Sequence, residues 1–164
     1  MRKEGLCKIM FMMLGAAIAL VSCCRFALYV SPGDFYEPGS LAVEGISLSG
    51  EAAPVEMDIY TPSQCCRYPV VMFQHGFTAS IKGYETILTH LASHGFVVVA
   101  PQMYPPGDGS LAPSPEEEAA LGVDIISWLE ENLQAVVPVT ADMQLLGLAG
   151  HSRGGQTAYR MALA

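Results

Sequence analysis

Three short apolar runs constrain this chain more than anything else in it: Tyr68–Gln74 (YPVVMFQ), Phe96–Ala100 (FVVVA) and Met143–Ala149 (MQLLGLA). Each is too short for a buried helix and carries no regular polar alternation, which is the pattern of a strand covered on both faces. Helical patterns separate them. Between the first two, Tyr84, Ile87, Leu88 and Leu91 recur at helical spacing, and Gly95 stands where a helix C-cap belongs. Between the second and third, Ser114-Pro115-Glu116-Glu117-Glu118 has the composition of a helix start: an N-cap Ser, Pro at the first position, and acids at the positive end of the dipole. That helix is predicted to reach Leu133, with Ala119, Val123, Ile126 and Leu133 among its apolar positions. Strands alternating with helices need parallel crossovers. The expectation is an α/β fold, a mostly parallel sheet with flanking helices.

Two further strands are expected upstream. Leu41 to Leu48 alternates like an edge strand, and Val55–Tyr60 reads as a half-exposed strand ending at the Thr61-Pro62 turn.

The third apolar run leads into Gly150-His151-Ser152-Arg153-Gly154, a G-x-S-x-G pattern, with Gly155 next and helical sequence from Gln156 onward. A Ser between a buried strand and a helix is the context of a nucleophile elbow, where the main chain is strained and small neighbours let strand and helix approach. Gly150, Gly154 and Gly155 suit that role. A phosphate-binding turn is the alternative, but neither G-x-x-x-x-G-K-[S/T] nor G-x-G-x-x-G is present. Ester hydrolysis also needs donors for the developing oxyanion. The backbone N–H of Arg153 is one; the other is expected from the loop after an earlier strand, His75-Gly76-Phe77, with Gly76 taking a conformation that turns the Phe77 N–H inward.

The acid and base do not follow. Only twelve residues succeed Ser152, and none is Asp, Glu or His. His75 and His151 lie inside the two motifs and His90 and His94 in the first helix, so all four are read as structural or surface residues. Asp124 and Asp142 are assigned to a helix face and a strand entry. The expectation is a chain truncated after the nucleophile helix.

A net charge of −8 argues against nucleic acid as a partner. Residues 1–24 pair a positive start (Arg2, Lys3, Lys8) with an apolar run from Ile9 to Val21, the layout of a secretory signal and short for a membrane span. Leu20-Val21-Ser22-Cys23 resembles a lipobox, whose Cys would be lipidated and attach the chain to a membrane. The reading is an exported protein, lipid-anchored or secreted, with a plastid location as the alternative. Cys65 and Cys66 are adjacent and give no disulfide framework, and no His/Cys spacing marks a metal site.

Gly150-His151-Ser152-Arg153-Gly154-Gly155 resembles the elbow of the chlorophyllase family. The resemblance extends over Ala92–Gln102 (ASHGFVVVAPQ), Ile126–Leu129 and Leu145–Gly155, and runs from about Met57 to the end. Cutinase-like and polyester hydrolases share Gly76-Phe77-Thr78-Ala79 and the ASHGFVV run, but usually carry Met where this chain has Arg153. The resemblance implies an α/β-hydrolase fold with residues 25–164 as the N-terminal part of one domain, a Ser-His-Asp triad, and hydrolysis of the phytyl ester of chlorophyll. It carries over Ser152 as nucleophile and the Phe77 and Arg153 amides as oxyanion donors. No cofactor or metal is implied. The alternatives are a cutinase-like or general lipid esterase, and a non-catalytic lipid-anchored binding module on a hydrolase scaffold.

Overall fold

A computed structural model describes residues 36–164. The signal-like segment 1–24, with Cys23, lies outside them. Among the described residues five strands form one sheet: β1 (Val43–Leu48), β2 (Met57–Pro62), β3 (Arg67–Gln74), β4 (Val97–Pro101) and β5 (Thr140–Gly150), in the order β1-β2-β4-β3-β5. Three helices accompany them: α1 (Glu85–Ser93), α2 (Pro115–Val136) and α3 (Arg153–Met161). The three strands that the apolar runs predict are parallel, β4 and β5 flanking β3. The two N-terminal strands extend the sheet antiparallel, so the sheet is mixed.

Side chains alternate across the sheet and build two cores. Val97 and Val99 of β4 join Val70, Met72, Ile125, Leu129, Leu133 and Met161 on the face of α2 and α3. Val98 and Ala100 join Phe73, Ile81, Leu88 and Ala92 on the face of α1. The helix signals hold. Ser114 and Glu117 cap α2 reciprocally, each side chain bonding the other's backbone N–H. Gly95 takes φ 94° after α1, the left-handed turn that Gly makes cheaply.

Three expectations change. The strand read as half-exposed, β2, is buried at all six positions, because it lies between β1 and β4 under α1. The strand read as fully covered, β5, is an end strand among the described residues, where Leu145 is 61% exposed. The buried stripe of α2 is Glu118, Gly122, Ile125, Leu129 and Leu133, while Val123 faces solvent. That stripe is turned by about one residue from the apolar positions expected, because it includes a charged residue and a glycine that a hydrophobic count passes over.

Candidate active site

Strands β3 and β5 end level, with Gln74 paired to Gly150, and the His151 N–H continues the ladder by donating to the Gln74 carbonyl at 3.1 Å. The two loops singled out by sequence therefore leave the sheet side by side. The elbow turns within His151 and Ser152, and α3 begins at Arg153, three residues before the helix expected from Gln156.

Ser152 has φ 55° and ψ −119°, a main-chain conformation that L-residues avoid and that costs about 1–3 kcal/mol. Its side chain is exposed and lines a shallow surface depression with Gly155, Gln156 and Tyr159. The turn is possible because two glycines remove side chains from its inside. A Cβ on Gly150 would come within 2.4 Å of the Gly154 backbone, and one on Gly154 within 2.2 Å of the Gln74 carbonyl oxygen. Gly155 is different: a Cβ there would meet nothing nearer than 3.4 Å.

On the other loop, the conformational freedom is not where it was expected. Gly76 has no positive φ; Thr78 does, at 59°. Glycine is needed at 76 for space, since a Cβ there would lie 2.9 Å from His151 Nδ1 and 3.1 Å from Tyr84 Oη. Among the described residues no protein group accepts from the Phe77 or the Arg153 amide. Phe77 is half exposed, and its ring packs against Gly109 on one side, while the Arg153 guanidinium lies 5.3 Å from its centroid.

Arg153 also carries a buried network that its sequence position does not announce. Its Nε donates to Glu118 Oε2 at 2.7 Å, and its guanidinium donates to the Pro113 carbonyl. Glu118 is fully buried, and Thr157 Oγ1 donates to its second oxygen at 3.0 Å. In the sequence Glu118 is the third acid of a helix start and reads as an acid facing the helix dipole. The signal available was its phase, four residues before Gly122 and seven before Ile125.

The histidines are occupied elsewhere. His75 is fully buried; its Nδ1–H donates to the Gly76 carbonyl at 2.8 Å, and its Nε2 accepts the Met103 N–H at 3.0 Å. Burial holds it neutral and pushes its pKa below the ordinary 6.5, against a smaller opposing effect from the Gly76 bond. The unfolded chain takes up the proton first, so this contribution is complete above 6.5 and is lost as pH falls through that value toward the lowered folded one. From about pH 7.5 to 5.5 the native protein is expected to lose stability relative to a His75→Gln variant, at up to about 1.4 kcal/mol per pH unit. A difference in melting temperature between the two proteins that stays constant across this range would contradict this. His94 bonds the Glu37 carbonyl at 3.1 Å and its ring lies tilted beside that of His90, and the His151 ring turns to Tyr84. Asp142 pairs with Arg67 at 3.1 Å, and Asp124 is exposed on α2. Among the described residues no side chain bonds Ser152 Oγ, and no group of three or more His, Cys, Asp or Glu could hold a metal ion.

A sheet ordered β1-β2-β4-β3-β5, with helices on both faces and a strained Ser at the corner where β5 turns into α3, defines an α/β-hydrolase. Its relatives narrow the class. A model of the chlorophyllase family matches residues 32–164, and the chain belongs to that family. It is 38% identical to "Chlorophyllase-1, chloroplastic" of Citrus unshiu over 133 residues, 78% of this chain and 39% of the relative. It is 38% identical to "Chlorophyllase-1" of Arabidopsis thaliana over 145 residues, covering 84% and 43%, and 36% identical to "Chlorophyllase-2" of the same plant over 120 residues, covering 71% and 36%. The chain thus spans about two fifths of the length of these curated relatives.

Proposed function

We propose that this chain is the N-terminal part of a single α/β-hydrolase domain of a serine carboxylesterase, and that the substrate is the phytyl ester of chlorophyll. The observation that carries the reading is Ser152: an exposed hydroxyl held at φ 55° between strand and helix. Strain of this kind persists only where the surroundings over-determine it, and it clusters at reactive positions. Ser152 Oγ attacks the ester carbonyl. The Arg153 and Phe77 amides bind the oxygen that becomes negative. The bond to the alkoxy oxygen breaks, phytol leaves with a proton, and water then cleaves the acyl-enzyme to free chlorophyllide and the Ser. The proton carrier is a His oriented by an Asp, in the chain order Ser, Asp, His that this fold uses. No residue after Ser152 in this sequence supplies either.

The names of the relatives support chlorophyll over the triglycerides or polyesters of a cutinase-like enzyme, and chloroplastic relatives support the plastid over export through a lipidated Cys23. A fluorophosphonate probe separates the catalytic reading from a non-catalytic binding module. With the full-length gene product, labelling is expected at Ser152 and absent in Ser152→Ala; no labelling of the folded native protein overturns the reading. Comparing hydrolysis of chlorophyll, a triglyceride and a short p-nitrophenyl ester by the same protein then tests the substrate.

A further inference from the structure

The two proposed oxyanion donors come from loops far apart in sequence, and a hydrogen-bonded side-chain bridge joins those loops. Tyr84 lies at the end of a single 3-10 turn before α1. Its hydroxyl oxygen accepts the Gly76 N–H at 3.0 Å and lies 3.0 Å from Nδ1 of His151. The Gly76 amide can only donate, which leaves the Tyr84 O–H free to donate to Nδ1 of His151. In that arrangement His151 carries its proton on Nε2. Its own backbone N–H is held by the Gln74 carbonyl. The circuit runs from the elbow to the end of β3 and back through two side chains.

That circuit bears on the direction of the Phe77 amide. The Gly76–Phe77 peptide is planar and trans, so fixing its carbonyl fixes the N–H on the opposite side. The carbonyl is held twice, by the Ala79 N–H at 3.0 Å and by His75 Nδ1–H at 2.8 Å. The peptide before it is held by Tyr84. Rotation of the Gly76–Phe77 peptide would break its carbonyl's bonds to Ala79 and His75, and the missing Cβ of Gly76 is what lets the His151 and Tyr84 groups come this close.

We propose that Tyr84 is a positioning residue that sets the register between the two oxyanion donors, acting through His151 and the Gly76 amide. The proposal rests on the oxyanion reading above. Tyr84→Phe removes the hydroxyl alone and keeps the ring against Phe73, whose centroid is 5.0 Å away. In the full-length enzyme acting on a p-nitrophenyl ester, the variant is expected to lose about tenfold in kcat with KM within about twofold, a small part of what loss of a whole donor costs. Ser152 remains labelled by the fluorophosphonate, more slowly. Two measurements need no turnover: the Gly76 amide exchanges with solvent faster in the variant, and in the native protein the nitrogen shifts of His151 report an unprotonated Nδ1. A native kcat in the folded variant, or unchanged Gly76 exchange, or a proton on Nδ1 of neutral His151, each overturns the bridge. These outcomes leave Ser152 labelling intact, so they are distinct from failure of the esterase reading, in which Ser152 is not labelled in any protein.

Discussion

Replacing Gly154 with Ala is expected to destabilise the protein by about 3 kcal/mol or more, the upper end for overpacking a tight site. The added Cβ would sit 2.2 Å from the Gln74 carbonyl oxygen and 2.5 Å from that of His75. Both contacts are main chain at the C-terminal end of β3. They cannot yield as the end of a flexible side chain could, and any shift that relieves them moves the loop bearing Phe77. For a domain of this size the loss corresponds to a fall of roughly 6–12 °C in Tm. Gly155→Ala is the internal control. Its Cβ meets nothing nearer than 3.4 Å, and Ala is favoured over Gly in a helix by about 1 kcal/mol, so Tm is expected to stay level or rise. A Gly154→Ala protein melting within about 2 °C of the native one would show that the close approach of α3 to β3 is not required.

The second large effect is at the buried ion pair. Arg153→Met puts the residue usual in cutinase-like enzymes after the nucleophile and leaves the Glu118 carboxylate buried without its cation. Removing one partner of such a pair costs about 3–5 kcal/mol, because a charge is stranded in a medium that solvates it poorly. Part of the loss comes from the aromatic rings under the guanidinium, Phe77 at 5.3 Å and Tyr104 at 5.7 Å, worth about 0.5–1 kcal/mol each. Glu118→Gln is expected to cost less. The amide oxygen can still accept from Thr157, and Arg153, 20% exposed at its side chain, keeps the Pro113 carbonyl and some water. The double variant should recover much of the Arg153→Met loss, since no buried charge remains. Urea denaturation of the four proteins measures the coupling, and strictly additive losses would sink the account. The adjacent pair of Arg160 and Glu116 is exposed on both sides and sets the contrast: breaking it is expected to change stability by well under about 1 kcal/mol.

Much of this molecule was written locally. Apolar runs without alternation marked β3 and β4, the Ser114 cap and Pro115 marked the start of α2, and Gly95 marked the end of α1. The elbow was readable for the same reason: strand, Gly-x-Ser-x-Gly and helix are contiguous, and the strain at Ser152 is a property of one residue between fixed neighbours.

What local pattern could not show is which surfaces meet. Alternation in β2 described its chemistry, and only its place between β1 and β4 buried it, with Asp58 carried inside and paired to Lys82 at 2.7 Å. Glu118 looked like one more acid at a helix start; its partner Arg153 lies 35 residues away in sequence, and Tyr84 and His151 lie 67 apart. Periodicity, caps and turn glycines are set by interactions between near neighbours, so a single sequence records them. A contact between distant residues exists only once the chain has folded, and there packing decides which charge is buried, which imidazole is an acceptor and where an amide points.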